Sequence, residues 1–323
     1  MKNFTFLVFI LIFLLSNSTY AKTLLYVTHE AKQEVVVYDA DSEKIIKKIA
    51  AKGIPYHIAR IPDKRDIAVS LKGERIDYIR IIDPVSGKIR LTPSIIVGRY
   101  KKTGEIHLLF NNNGAKLYAI DSDLDYVDVI ETKNWQLVKR VILGIEPKGG
   151  ILTSDGKTLI IPNLNSRDII FFDILRDKVV SSIKVNGQPS AVAISQDSKH
   201  LYVADKENSF VLLVNSHNGD ILGRAVVGND PVNMLLTSDG KMLYVANFLS
   251  NSLTVIDTKS MESISNFTVG IRPIGMAMDD KAGRLYVCNY GEASISIIDI
   301  KTNRIIRKIP TDATPTNLII VRE

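Results

Sequence analysis

Apolar residues along this chain fall in short runs that alternate with polar positions and are broken by turn residues, and none of the runs recurs at helical spacing. The stretch "LYVANFLSNSLTVIDT" at 243–258 is echoed by "LYVCNYGEASISIIDI" from residue 285, 42 residues later. Laid out at that period, apolar runs begin at Leu25, Ile67, Leu117, Leu159, Leu201, Leu243 and Leu285, with intervals of 42, 50, 42, 42, 42 and 42. A second run in each copy closes on Asp39, Asp83, Glu131, Asp173, Asn215, Asp257 or Asp299. A third follows ("KIIKKIA", "QLVKRVIL", "KVVSSIKV"). A fourth usually opens on proline ("PYHIARI", "PSAVAIS", "PVNMLLT", "PIGMAMD", "PTNLIIV"), and turns such as Ser238-Asp239-Gly240-Lys241 precede the next copy.

Four short strands per unit, seven units and a period near 42 predict an all-β, seven-bladed β-propeller with one four-stranded antiparallel sheet per blade. The phase predicts how the ring shuts. The first copy lacks an innermost strand, and the last run, "PTNLIIV", can supply it, so that no sheet edge stays open.

Ahead of the repeats stand Lys2, an apolar run from Phe4 to Leu15, and a polar stretch ending in Thr19-Tyr20-Ala21. This is the layout of a secretory signal peptide cut after Ala21, and about 12 apolar residues fall short of the roughly 20 that span a bilayer. The expectation is a propeller over 22–323, periplasmic or secreted, with no membrane span after cleavage. The leader's loss lowers the formal charge from +6 to +5, too mild to point to nucleic acid. With Cys288 alone an intrachain disulfide is excluded, and its place at a strand end suits a small buried filler. There is no CxxCH, no GxSxG and no phosphate-binding glycine loop. Trp135 stands alone where quinone-dependent propellers repeat tryptophan.

Candidate chemistry lies where inner strands meet the channel. The position two past the inner-strand proline reads His57, His107, Gly149, Ala191, Asn233, Gly275 and Asn317, with Glu105 in place of the proline in the second copy. Two of the five histidines occupy this ring, and His29, at the end of a neighbouring strand type, is expected on the same face. Neutral imidazoles there suit a metal or haem ligand or a general base; a hydrogen-bonded channel wall is the plainer reading. A second ring, His29, Leu71, Asp121, Asn163, Asp205, Asn247 and Asn289, offers oxygen ligands for calcium, although Asn and Asp in these places also close tight turns. The second copy is longer, and its added segment carries Arg99, Tyr100, Lys101 and Lys102, a possible nucleic-acid or partner contact beside the channel mouth.

"LYVAN", "LTVIDT" and "RPIGMAM" resemble the YVTN-family propeller repeat, which implies the fold and leaves function open. The opening, "VTHEAKQEVVVYDADSEKIIKKIAAKGIPYHIARI" with "DYIRIID" after it, resembles the haem d1 propeller of cytochrome-type nitrite reductases and haem d1 biosynthesis proteins. That resemblance implies His57 as axial ligand of haem d1 or another tetrapyrrole, within the His57-Ile58-Ala59-Arg60 segment. Glu30 stands where the family has a haem-contacting arginine, and those enzymes have eight blades. Three functions are thereby open: a non-enzymatic module offering its channel mouth to a small ligand or protein partner, a tetrapyrrole-binding protein, and a calcium-dependent lactonase-like hydrolase. The first is the leading expectation.

Overall fold

The structure, a computed structural model, describes residues 22–322 apart from 74–75, 93–96 and 100–104. It is a ring of seven antiparallel sheets, as the period predicts. From the channel outwards, blade 3 runs Ile106–Phe110, Lys116–Asp121, Tyr126–Glu131 and Gln136–Ile142, and blades 4 to 7 repeat that order. Among the described residues no helix is long and apolar enough to cross a membrane.

The repeated acid is a turn device. In every copy but the third its side-chain oxygen accepts one or two backbone N–H groups just beyond it, as Asp39 does from Asp41 and Ser42 and Asp299 from Lys301 and Thr302. Four residues past the acid the chain turns left-handed, at Glu43, Gly87, Trp135, Asp177, Gly219, Met261 and Asn303. Only two of these are glycine; at Glu43, Asp177, Met261 and Asn303 the side-chain cap offsets the cost of a non-glycine residue at positive φ, while Trp135 adopts it without one.

Period-two alternation turns both faces of each middle strand toward neighbouring blades, so Leu25, Leu117, Leu159, Leu201, Leu243 and Leu285 are all fully buried. The tyrosine of "LYV" reaches outward between blades. Tyr244 Oη donates to Ile300 O at 3.0 Å and to Asn303 Oδ1 at 2.6 Å, tying blade 6 to the outer turn of blade 7. Burial of such an aromatic with its hydroxyl paired combines apolar area with a satisfied donor.

Ring closure uses the strand that the phase of the repeat predicts. The C-terminal strand Pro315–Arg322 pairs antiparallel with Thr23–His29 and completes blade 1, with Leu24 opposite Val321 and Val27 opposite Leu318. Thr28 Oγ1 lies 2.7 Å from Thr316 Oγ1 and accepts the Asn317 N–H at 2.9 Å. Leu318 packs with Val27, Tyr38 and Cys288 between the first and last blades. Cys288 is the buried filler expected, and burial pushes its thiol well above the usual range.

Blade 2 departs from the pattern. Its fourth strand is broken into Ile89–Leu91 and Val97–Arg99, both paired to the third strand Ile76–Ile82, with Arg99 opposite Ile76. The added residues thus lengthen the blade's outer edge. Arg99 sits on the outermost strand, three strand spacings or about 14 Å from the inner one, which corrects its placement beside the channel. Tyr100, Lys101 and Lys102 lie outside the described residues.

Leu318→Ala should lower unfolding free energy by about 2–5 kcal/mol, because it opens a cavity in the closing seam. Urea denaturation measures this; a loss no larger than that of an exposed outer-strand leucine such as Leu137 would show that the seam is dispensable.

Candidate functional site

The inner strands enclose a cavity of about 710 Å3 on the ring axis, within the range of small-molecule sites. Of the predicted ring, His57, His107, Gly149, Ala191, Asn233 and Asn317 line it. Gly275 belongs to the same ring, but a Cβ there would lie 2.6 Å from Thr316 O, so it serves the close approach of two inner strands while Ile274 faces the cavity.

A recurrent bulge aims these residues inward. Pairing slips just past the proline in five inner strands, between Pro55 and Ile58, Pro189 and Ala191, Pro231 and Asn233, Pro273 and Met276, and Pro315 and Leu318, whereas the strand of His107 pairs without a slip. At Tyr56-His57 the ladder bond thus lost is replaced by a side chain. The His57 N–H donates to Ser70 Oγ at 3.0 Å, and that hydroxyl donates to Ile106 O at 2.7 Å in the next inner strand. Ser70 therefore fixes His57 and joins blade 2 to blade 3.

His57 and His107 meet, their ring centroids 5.4 Å apart, and Tyr56 stands edge-on to His107 at 5.4 Å. Gly149 makes room for them. It has φ +69°, and a Cβ there would lie 3.1 Å from His107 Nδ1. Burial, reinforced for His57 by the neighbouring His107 and for His107 by Lys148, pushes both down to about 3, so both imidazoles are neutral. Burial likewise holds the Tyr56 phenol protonated, with Glu105 and Glu30 adding to the effect. The Leu108 N–H points at His57 Nδ1 at 3.4 Å, which leaves Nε2 as the protonated nitrogen. His107 Nε2 is buried with no hydrogen-bond partner.

A ring missed in the sequence forms the mouth. In six of the seven blades the residue one past the Asn/Asp collar lines it: Glu30, Lys72, Leu164, Lys206, Phe248 and Tyr290. The collar itself is turned away. Asn163, Asp205, Asn247 and Asn289 are buried, and Asn247 Nδ2 and Asn289 Nδ2 each donate to two hydroxyls of their own blade. A strand end thus places its side chain between blades and the next residue over the channel, and Asp121 also closes its own turn, its Oδ1 accepting the Asp123 and Leu124 N–H groups. The mouth's charges are matched: Lys148 lies 2.7 Å from Glu105 and 2.9 Å from Glu146, and Lys206 3.1 Å from Asp230. Burial works against the charge of Lys148, but the two carboxylates outweigh it and raise its pKa.

The structure does not bring His29 or Arg60 to this cavity. His29 shares the strand parity of Leu25 and Val27 and so points between blades 1 and 7; Arg60 ends its strand exposed, at the far end from Pro55. Nor does His57 fit the axial-ligand role that the resemblance implies. A ligating imidazole donates from its other nitrogen to an acceptor, whereas His57 Nδ1 faces a backbone donor.

Comparison with known proteins yields the fold. The family described as "Lactonase, 7-bladed beta-propeller" matches residues 176–269, from the outer strand of blade 4 through blade 6. No curated protein matches the chain. Hydrazine synthase of Kuenenia stuttgartiensis superposes with TM-score 0.70 at 20% identity, covering 83% of this chain and 95% of that one. A proposed 6-phosphogluconolactonase from Bacteroides fragilis gives 0.74 at 15%, covering 95% and 99%. The dihydro-haem d1 dehydrogenase NirN, in complex with DHE, gives 0.69 at 12%, covering 92% and 74%.

The neutral histidines set an acid sensitivity. Below pH 6.5 the unfolded chain protonates them while the folded chain does not, so stability falls with pH until about 3 for His57 and His107 and about 4 for His29. Each contributes a slope of up to about 1.4 kcal/mol per pH unit. Asp121, raised to about 6 by burial, acts in the opposite sense, as do Asp77 and Asp128, which burial also raises, so the histidine contribution is the part of the slope that a histidine variant removes. Asp39 and Asp312, lowered to about 2, lose their contribution only below 3.8. Urea titrations between about pH 7 and about pH 5 should show stability falling with acid, and His107→Gln should flatten the slope by about 1.4 kcal/mol per unit; an unaltered slope would place His107 in water.

Proposed function

We propose that this protein is a non-enzymatic binding module that holds a small organic molecule in its axial channel. The observation that carries this reading is the buried, unpartnered His107 Nε2 on the wall of a 710 Å3 cavity. A buried polar atom without a partner costs about 1–3 kcal/mol, which a bound ligand recovers. The neutral imidazoles and the phenol of Tyr56 can exchange hydrogen bonds with a ligand, and Leu108, Leu109, Ile120, Met234 and Ile274 accept an apolar body. The wall therefore favours an uncharged, partly aromatic molecule with a polar edge.

A protein partner at the same mouth is supported by an apolar lip. Leu249, next to Phe248, and Ile271, whose carbonyl accepts the Gly291 N–H next to Tyr290, are exposed. Export to a periplasm or beyond, with cleavage after Ala21, belongs to the same proposal; N-terminal sequencing of the native protein should begin at Lys22.

Protein purified from its native host and denatured should release a small molecule detectable by mass spectrometry, with no Soret band in the absorption spectrum beforehand. Re-addition should raise stability by about 2.7 kcal/mol at a hundredfold excess over Kd, and His107→Ala should abolish that gain. A Soret band dependent on His57 would establish the tetrapyrrole reading instead, and efficient turnover of a lactone would refute a binding-only role.

A further inference from the structure

His29, displaced from the channel, stands in a second cluster. Its ring lies at the closing seam with Glu34 of blade 1 and Asp312, which sits in the connection between the last outer strand, Arg304–Pro310, and the closing strand Pro315–Arg322. One ligand atom from each lies within 4.8 Å of the others. His29 is fully buried, its Nδ1 has no hydrogen-bond partner, and Asp312 Oδ1 is 3.5 Å away. Glu34 Oε1 is buried and likewise has no hydrogen-bond partner. We propose that His29 Nδ1, Glu34 and Asp312 form a divalent metal site, zinc the best match, that clips the C-terminal connection to the first blade.

The chemistry agrees in four respects. One imidazole and two carboxylates make a mixed N/O set of the kind zinc accepts, with water completing a tetrahedral shell. Ligands about 2.1 Å from a tetrahedral ion lie about 3.4 Å apart, so the His29–Asp312 spacing of 3.5 Å needs almost no adjustment. His29 Nε2 is 3.3 Å from Tyr38 Oη, which can accept its proton and leave the Nδ1 lone pair for the ion. Two carboxylates and a neutral imidazole also balance the charge of a divalent ion.

Ammonium groups hold this place in the structure: Lys48 contacts Asp312 and lies 3.9 Å from Glu34 Oε1, and Lys32 is 2.9 Å from Asp312 Oδ2. Both lysines are more than two-fifths exposed, so each can swing into water as the ion enters. Exposed pairs of this kind are screened by water and hold weakly, and a zinc ion with three protein ligands outcompetes them.

The test uses the mature protein stripped with chelator and titrated with zinc chloride in a calorimeter, with cobalt(II) as an optical probe. About one zinc per chain should bind, raising the melting temperature. Asp312→Asn and Glu34→Gln, on partly exposed groups that leave the core intact, should each weaken binding at least about tenfold. Lys48→Met, which removes the competing ammonium, should tighten it, and His107→Ala should leave it unchanged. Absence of zinc binding, binding indifferent to Asp312→Asn, no tightening in Lys48→Met, or loss of binding in His107→Ala would each overturn the proposal.

Discussion

The pairing of Pro315–Arg322 with Thr23–His29 is the contact on which everything else rests. Every other blade is built from consecutive residues and could form locally. Blade 1 alone draws its inner strand from the far end of the chain, and until it does, the first sheet lacks its inner edge and the space between blades 1 and 7 lacks Leu318. Unpaired strand edges invite pairing with other chains, so closure protects the molecule as well as completing it. The seam is accordingly dense in polar detail, with the Thr28–Thr316 contact on one side and the cluster of His29, Glu34 and Asp312 on the other.

Closure also makes the channel. Seven inner strands arranged about one axis leave a central space, and in five of them a bulge follows the proline. Most copies place a small or amide residue there. Blades 2 and 3 place histidines side by side, and blade 4 answers with Gly149, whose missing Cβ leaves the ring of His107 its room. Neutral imidazoles in a largely apolar wall make a site for recognising shape and hydrogen bonds. At the mouth, Lys148 and Lys206 are paired with carboxylates.

The fold was legible because its information is local and repeated. Turn acids such as Asp257, the alternation in "LYVAN" and the inner-strand prolines each encode one strand or one turn, and seven copies confirm one another. The ring of His57 and His107 was legible for the same reason, since a period fixes which residues share a level. The residues that escaped did so at a distance of one position. Asn247 read as a channel collar, but strand parity buries it between blades and hands the mouth to Phe248.

By itself, then, the sequence determined the blade count, the closing strand, the turn chemistry and the level at which two histidines face the axis, because each depends on spacing along the chain. Tertiary structure alone decided the rest. Arg99 went to an outer edge because the added residues of copy two extend its fourth strand. His29 left the channel for Glu34 and Asp312 because parity at a strand's end, together with a connection nearly three hundred residues away, sets its neighbours. Tautomer, neutrality and the unpartnered nitrogen of His107 arise from what surrounds a side chain, and spacing along a chain does not record that.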